Sequence, residues 1–297
     1  MKRYAILVIA LVSCLFHYAQ AQPRVIVLGF DGLSGQGIQK TATPHFDFLK
    51  QRGAYTYKAE AVIRTVSSPN WASMISGASP KQHQVKSNDW ERKDIRNKSY
   101  CGQAKGEIFP TIFKIIREQK PSAKIACVHD WDGFARLANT EAMDTIISTE
   151  GEYQTCEKAC AIIQNMKPDF LFVHFDHVDH AGHETGHFTE EYYRSIRVAD
   201  SLTGIIIQAL KNAGVFNNTY IIITADHGGR KKGHGGRSRA EIEIPWIISG
   251  PKTKQGFAIT DLVKQYDTAS TIAHIFGLQQ PDCWTGKPVK SAFADAP

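Results

Sequence analysis

Three long apolar segments of the chain run directly into acidic residues or histidines. They span 25–30, 170–175 and 220–224. None of them alternates polar and apolar positions, and this pattern is typical of strands covered on both faces, as in a parallel sheet between two layers of helices. Because the carboxyl ends of parallel strands meet at one edge of a sheet, we expect the polar residues after these segments to lie close together.

Further periodic segments alternate with these strands. Additional strands are predicted over 60–66, 124–129 and 244–249, and helices over 43–53, 69–76, 109–117, 153–166, 188–212 and 266–276. Strands and helices that alternate over the whole length predict an α/β fold, a doubly wound and mostly parallel sheet with helices on both faces. The polar segment 80–108 is expected to form a surface excursion near the functional edge of this sheet.

The helix predicted to begin at Pro69 has Ser68 as its N-cap, because serine is favoured at the cap and proline at the first helical position. This assignment places Ser67 just ahead of a helix N-terminus. Free N–H groups and the helix dipole favour an anion there. Ser67 is therefore a candidate nucleophile, and a simple capping serine is the alternative.

The first 21 residues have the three regions of a secretory signal. A charged start is followed by the apolar run from Ala5 to Phe16, and small residues precede a cleavage position after Ala21. The run is too short to span a bilayer, so no transmembrane segment is expected in the mature chain. Residues 22–297 are predicted to form a single catalytic domain, periplasmic or secreted. The alternative is a lipoprotein signal with lipid attached to Cys14.

Charge and cysteine content exclude two classes of protein. The formal net charge is +6 without a run of Lys or Arg, so a dedicated nucleic-acid-binding module is not expected. Five of the cysteines follow the predicted signal, an odd and sparse set that does not make a disulfide scaffold. Two of these, Cys156 and Cys160, could serve a metal, but packing on a helix face is the simpler interpretation because no second cysteine pair accompanies them.

Two groups of candidate metal ligands follow the predicted strands. Asp179 and His183 are separated by about one helical turn, so a carboxylate and an imidazole could bind the same divalent ion, and His234 could supply a third ligand. The second group consists of Asp31, Asp226 and His227. The alternative for the histidine-rich stretch 174–187 is a solvated polar loop.

Two divalent ions a few ångströms apart can clamp an in-line displacement at phosphorus. One ion activates the nucleophile and the other stabilises the leaving oxygen. A metal beside Ser67 would lower the pKa of its hydroxyl enough to supply an alkoxide. The pattern therefore predicts a metal-dependent phosphoester hydrolase with a serine nucleophile.

Six motifs occur in an order that resembles the alkaline phosphatase superfamily, and most closely its nucleotide pyrophosphatase/phosphodiesterase branch. They are Asp31-Gly32, Thr43-Pro-His-Phe-Asp47, Ser67-Ser-Pro-Asn70, Asp179-x-x-Gly-His183, Asp226-His227-Gly228 and His234-Gly235. The resemblance covers nearly all of the mature chain. The chain departs from the branch in having Ser67 where threonine is common, and in the short interval between His227 and His234.

The resemblance implies a role for each matching residue. One of two divalent ions, expected to be zinc, would be bound by Asp179, His183 and His234, and the other by Asp31, Asp226 and His227. Ser67 would be the nucleophile and would contact the metal beside it. Asn70 would donate a hydrogen bond to a phosphate oxygen.

The expected activity is that of a phosphodiesterase or nucleotide pyrophosphatase that acts on a small phosphoester through a phosphorylated Ser67. A diester is favoured because Asn70 and Trp71, which carry no charge, lie near the nucleophile, while Trp131 and Phe134 could stack on an organic group.

Four alternatives stay open at this point. A phosphomonoesterase would need extra cations, for which the candidates are Arg64, Lys231, Lys232 and Arg237. A sulfatase resembles this chain except that its maturation motif has arginine where this chain has Trp71. A phosphoglycerate mutase would need a large inserted domain. A binding protein with structural metals is the fourth.

Overall fold

The computed structural model describes residues 22–95, 101–102 and 106–295, so the predicted signal and Cys14 lie outside the described residues. The strands are β1 (Arg24–Phe30), β2 (Gly53–Glu60), β3 (Ile125–His129), β4 (Thr145–Ser148), β5 (Phe170–Phe175), β6 (Thr219–Thr224), β7 (Glu243–Ser249) and β8 (Phe257–Ala258). The α-helices are α1 (Gly35–Gln39), α2 (Pro44–Gln51), α3 (Ser67–Ser76), α4 (Pro80–His83), α5 (Ile112–Gln119), α6 (Glu152–Met166), α7 (His177–Thr185), α8 (Glu190–Asn212), α9 (Arg239–Ile242) and α10 (Asp267–Ile275).

The strands form one eight-stranded sheet in the order β4-β3-β5-β1-β6-β7-β2-β8. Strand β1 pairs in parallel with β5 on one side and β6 on the other, and β7 is antiparallel to both of its neighbours. The helices pack in two separate groups, with α8 at the centre of one and α3, α5 and α10 in the other. The doubly wound, mostly parallel fold predicted from the sequence is confirmed. Among the described residues no helix combines the length and the apolar character needed to cross a membrane.

The strand predicted over 60–66 is wrong, because the observed strand β2 runs from Gly53 to Glu60 and shares only Glu60 with the predicted range. Residues of β2 pair with the antiparallel strand β7 from Gly53, opposite Ser249, to Glu60, opposite Glu243. The backbone beyond Glu60 instead bonds to the side chain of Asn70. Strand β4 was missed because it is a short edge strand of half-buried residues.

The helix that carries Ser67 packs closely on the central strand. Trp71 of α3 is fully buried, and a Cβ atom at Gly29 of β1 would lie 2.7 Å from its ring. Phe134 is also fully buried and contacts the same indole edge to face. The prediction that Phe134 stacks on a substrate is therefore wrong, and Trp71 presents no surface to a substrate, since both side chains belong to the core.

One disulfide bond joins the polar excursion to the C-terminal part of the chain. It links Cys101 to Cys283, whose Cα atoms are 5.3 Å apart. Cys156 is buried in helix α6, and its thiol donates to the carbonyl oxygen of Leu202 at 3.7 Å. This contact agrees with a packing role for that cysteine.

We expect Gly29→Ala to lower the free energy of unfolding by about 1–3 kcal/mol, the usual cost of inserting a methyl group into a packed core. The added Cβ would force the ring of Trp71 to move. Gly233→Ala is the control, because nothing lies within 4 Å of a Cβ at that position. Urea unfolding measures both variants, and equal midpoints would contradict the close contact between α3 and β1.

Candidate functional site

The candidate ligands converge at the carboxyl ends of three adjacent strands. Asp31 follows β1, Asp226 and His227 follow β6, and helix α7 begins two residues after the end of β5. The backbone N–H of Asp31 donates to the carbonyl oxygen of Phe175 at 2.8 Å, which continues the pairing of β1 with β5 past the strand end. The three segments therefore end at the same edge of the sheet, as the sequence predicted.

Asp179, His183 and His234 form the first group, in which the possible ligand atoms all lie within 4.8 Å of one another. Helix α7 places Asp179 and His183 four residues apart on one face, with His183 Nε2 3.1 Å from Asp179 Oδ2. The Nε2 atom of His234 lies 3.0 Å from Nε2 of His183. Two segments far apart in the sequence, helix α7 and the loop with His234, thus direct one carboxylate and two imidazoles at a common point.

Asp31, Asp226 and His227 form the second group, and all three are fully buried. The Nε2 atom of His227 is 3.4 Å from Asp31 Oδ1 and 3.2 Å from Asp226 Oδ2. Ser67 adjoins this group, since its Oγ lies 3.4 Å from the same Nε2 atom. The structure therefore brings together seven of the eight residues predicted for the site: Asp31, Ser67, Asp179, His183, Asp226, His227 and His234.

Backbone carbonyls fix the orientation of all three histidines in these groups. The Nδ1 atoms lie 3.0 Å from Lys232 O for His183, 2.9 Å from Gly228 O for His227 and 2.8 Å from Thr65 O for His234. A carbonyl oxygen only accepts hydrogen bonds, so each Nδ1 carries the proton. In the neutral form of each imidazole the lone pair of Nε2 is then directed at the group, as in histidines that bind metals.

The unpartnered oxygens at this edge fit divalent cations. Asp31 Oδ1, Asp179 Oδ1 and Asp226 Oδ2 are buried without a hydrogen-bond partner. Buried polar atoms in proteins almost always have a partner, and an unpaired buried charge is costly. Carboxylate oxygens and imidazole nitrogens are common zinc ligands. The residues present therefore fit two ions of this type.

Burial and mutual repulsion shift the pKa values of these groups. Burial raises the pKa of Asp226, and the carboxylates of Asp31 and Asp179 raise it further. Burial also lowers the pKa of His227 to about 4, so its imidazole is neutral near pH 7 and can act as a ligand. The hydrogen bond with Asp179 raises the pKa of His183 to about 9. Metal binding at the first group would therefore release a proton.

Helix α3 begins two residues earlier than the sequence indicated. Its N-cap is Val66, and Ser67 is its first residue rather than a residue ahead of it. The predicted cap, Ser68, instead donates its backbone N–H to Asn88 Oδ1 at 2.8 Å. The hydroxyl of Ser67 still lies at the positive end of the helix dipole, where developing negative charge is stabilised.

The hydrogen bonds of Asn70 contradict its predicted role as a phosphate ligand. The side chain is fully buried, and its Nδ2 donates to Arg64 O at 3.0 Å and Val66 O at 2.9 Å. Its Oδ1 accepts from Val62 N at 2.7 Å. Both ends of the amide are thus used to fix the segment before Ser67, and no donor remains for a phosphate oxygen.

Sequence reasoning missed a guanidinium that contacts Ser68, the residue after the candidate nucleophile. Arg136 Nη2 donates to Ser68 Oγ at 3.1 Å and to the carbonyl oxygen of Asn88 at 2.5 Å. Its guanidinium also lies 5.5 Å from the centre of the Trp131 ring. No sequence pattern marked this residue, because it lies in a short turn and meets Ser68 only through the tertiary fold. The other candidate cations, Arg64, Lys231, Lys232 and Arg237, are exposed.

The α/β sheet therefore presents two groups of possible metal ligands and a serine hydroxyl at its carboxyl edge. Residues 25–231 match the family model described as type I phosphodiesterase / nucleotide pyrophosphatase. The chain belongs to this family.

Known relatives are distant in sequence and similar in fold. Ectonucleotide pyrophosphatase/phosphodiesterase family member 3 of mouse is 22% identical over 224 residues, which are 69% of this chain and 25% of that protein. An inactive form of murine ectonucleotide pyrophosphatase/phosphodiesterase 5 in complex with AMP superposes with a TM-score of 0.75 at 17% identity, covering 92% of this chain and 100% of that one. A 2-O GAG sulfatase gives a TM-score of 0.72 at 18% identity, over 92% of this chain and 74% of that one. The chain spans about a quarter of the length of the mouse family member 3.

Asn70→Ala should lower the free energy of unfolding by about 2–3 kcal/mol, because buried backbone groups of 62–66 would lose their partner. Urea unfolding measures the change. Asn212→Ala, at the exposed end of α8, is the control and should stay within about 0.5 kcal/mol of the parent. If Asn70→Ala kept its stability and lost only turnover, the phosphate-binding role would stand after all.

Proposed function

We propose that this chain is a two-metal phosphodiesterase or nucleotide pyrophosphatase that acts through a phosphorylated Ser67. The observation that carries the proposal is the position of Ser67. This residue is the first of helix α3, and its Oγ lies 3.4 Å from Nε2 of His227. The hydroxyl thus lies beside a group of three buried residues with unpartnered ligand atoms. Family membership supports the reaction class, and the AMP complex of the murine relative supports a nucleotide-like substrate.

The residues of the chain have distinct tasks in this reaction. Asp179, His183 and His234 would bind one divalent ion, and Asp31, Asp226 and His227 the other, with zinc proposed on the basis of the mixed carboxylate and imidazole ligands. The bound ions would supply positive charge for the phosphoryl oxygens and for an ionised hydroxyl. Ser67 loses its proton to solvent and attacks phosphorus, and the bond from phosphorus to the leaving oxygen breaks. Hydrolysis of the phosphoserine by water then restores the hydroxyl.

The proposed location is the periplasm or the exterior of the cell. The predicted signal over residues 1–21 would direct export, and 22–297 would be the single catalytic domain. The bond between Cys101 and Cys283 supports an oxidising compartment, because disulfides rarely persist in a reducing cytosol. The exported enzyme would act on small phosphoesters.

Diesters are proposed as the preferred substrates, on different grounds from the aromatic contacts that the sequence suggested. A monoester dianion needs a cation whose donors are free to bind its extra charge. The guanidinium of Arg136 contacts the residue after Ser67, and its Nη2 already donates to Ser68 Oγ and Asn88 O. Its Nη1 lies 3.7 Å from Glu91. Because both Nη atoms are directed at protein groups and Nε is buried, Arg136 does not form a free clamp for a dianion.

Removal of divalent ions should abolish turnover of a phosphodiester such as bis-p-nitrophenyl phosphate, and added zinc should restore it. The reason is that, without bound cations, no positive charge would stabilise the ionised hydroxyl of Ser67. Elemental analysis of the active protein should find at least two divalent ions per chain. Full activity in a chelated, metal-free sample would exclude the two-metal reaction.

Ser67→Ala should reduce kcat for the diester by roughly three or more powers of ten while metal content and fold are kept, since only the nucleophile is lost. The control is Ser76→Ala, which removes the same hydroxyl from the far end of the same helix. Rapid-quench trapping of a phosphoserine in the parent, and its absence in Ser67→Ala, would identify the attacking atom. Near-normal turnover by Ser67→Ala would point instead to attack by a hydroxide ion.

The ratio of kcat/KM for a diester to that for the monoester with the same leaving group should exceed one. The physical reason is that both Nη atoms of Arg136 already contact protein groups. The second negative charge of a monoester would therefore stay uncompensated. Bis-p-nitrophenyl phosphate and p-nitrophenyl phosphate provide the matched pair. A ratio clearly below one would assign the chain to the phosphomonoesterases.

A further inference from the structure

His234 differs from the other two residues of the first group in belonging to an irregular loop. Asp179 and His183 lie in helix α7, whose backbone fixes their spacing. His234 lies in the segment 228–238 between strand β6 and helix α9 (the His234 loop). Loops are in general the more mobile parts of a fold, whereas a metal ligand needs a position defined to about 0.5 Å. Contacts with other residues must therefore hold this loop in place.

Thr65 contacts the His234 loop at three successive residues. Its carbonyl oxygen accepts a hydrogen bond from Nδ1 of His234 at 2.8 Å. Its hydroxyl accepts from the N–H of Gly235 at 3.0 Å and donates to the carbonyl oxygen of Gly236 at 3.1 Å. The residue is fully buried, so water does not compete for these bonds. The main chain of Thr65 thus orients the imidazole, and its side chain fixes the backbone directly after it.

Glu241 of helix α9 binds the same part of the loop with both carboxylate oxygens. Oε1 accepts from the N–H of Gly236 at 2.7 Å, and Oε2 accepts from the N–H of Ser238 at 3.1 Å and from its hydroxyl at 2.6 Å. Ser238 and Glu241 form the capping box of α9. A capping box needs no contact with Gly236, so the additional bond stabilises the loop rather than the helix.

Glu241 also holds the beginning of the loop through its backbone. Its carbonyl oxygen accepts from the N–H of Gly228, the residue after His227, at 2.9 Å. At the other end, a Cβ on Gly236 would lie 2.6 Å from either carboxylate oxygen of Glu241, so a side chain there would push the carboxylate away. One residue therefore fixes the loop next to His227 and again close to His234.

We propose that Thr65 and Glu241 are positioning residues for His234, and that their side chains set the affinity of the first group for its divalent ion. Neither side chain is among the possible ligand atoms of this group, so each acts through the loop. The inference rests on the proposed function, which treats the group as a metal site. It adds the residues on which occupation of that site depends.

The competing interpretation is a purely structural role for the two side chains. Loss of their buried hydrogen bonds would then lower the free energy of unfolding and leave the ion affinity of the folded chain unchanged. A positioning role instead weakens one of the two ions, because loss of a residue that orients a ligand typically lowers metal affinity by about ten- to a hundredfold. Ion affinity measured on the folded chain separates the two roles.

The experiment titrates the metal-free mature chain with cobalt(II), whose visible absorption changes with the number and geometry of its ligands. Thr65→Val removes the hydroxyl at nearly constant volume, and Glu241→Gln removes the charge of the carboxylate. We expect each to weaken one cobalt ion by about tenfold or more and to alter its absorption, while the other ion binds as in the parent. Thr65→Ser should stay within about twofold of the parent, because it keeps the same donor and acceptors.

Two controls show whether the effect acts through His234. Thr203→Val removes a buried hydroxyl of helix α8, which donates to the carbonyl oxygen of Ala199 at 3.0 Å, and should bind both ions like the parent. In a His234→Ala background, Thr65→Val should cause no further loss of affinity, because the ligand that it positions is absent.

Parent-like affinities in both Thr65→Val and Glu241→Gln would overturn the positioning role and leave the two-metal function standing. An equal further loss when Thr65→Val is added to His234→Ala would also overturn it, because the hydroxyl would then act elsewhere. A parent that binds no cobalt would overturn the proposed function as well. Circular dichroism identifies an unfolded variant, and Thr65→Val decides alone if Glu241→Gln does not fold.

Discussion

The parallel pairing of β1 with β5 and β6 is the constraint on which the whole site depends. Register along these three strands places their carboxyl ends at one level, so that Asp31, Asp176 and Asp226 follow the sheet side by side. Strands buried on both faces are rigid and need no polar residues of their own. The energetic cost of collecting carboxylates is thereby confined to one edge, where cations and solvent can offset it.

Backbone groups, rather than other side chains, fix most of the ligands, and this explains the glycines that follow them. Gly32 has a φ of +68°, and a Cβ at that position would lie 2.6 Å from Asp179 Oδ1. Gly228 supplies the carbonyl that orients His227, and a Cβ on it would lie 2.1 Å from Ala240 O. Side chains at these positions would separate the loops whose close approach forms the two groups.

Sequence patterns predicted the parts of this protein that depend on periodicity and order along the chain. The apolar strands and the ligands after them follow from local composition, as does the position of Ser67 near a helix start. The roles of Asn70 and Trp71 could not be predicted in this way. Both lie one helical turn from Ser67, but the pattern of polar and apolar residues does not show whether a side chain faces the site or the core.

Residues contributed by distant segments were harder still. Arg136 meets Ser68 across 68 residues of sequence, and His174 meets Asp130 across 44. Neither contact leaves a trace in local spacing, because each arises only when the sheet edge and the loops above it are assembled. His174 in particular resembles any buried strand residue until the two aspartates beside it are seen.

The position of Ser67 relative to the candidate ligands is determined by core packing around a single indole. Trp71 lies in the same helix as Ser67, fills the space left by Gly29 and donates to Asp31 Oδ2 at 3.0 Å. One rigid side chain therefore connects helix α3, strand β1 and the carboxylate of Asp31. Since packed aromatic cores allow little movement, Trp71 holds helix α3 in place against this carboxylate. Such preorganisation is what a displacement at phosphorus requires, because its rate depends on geometry held at the moment of attack.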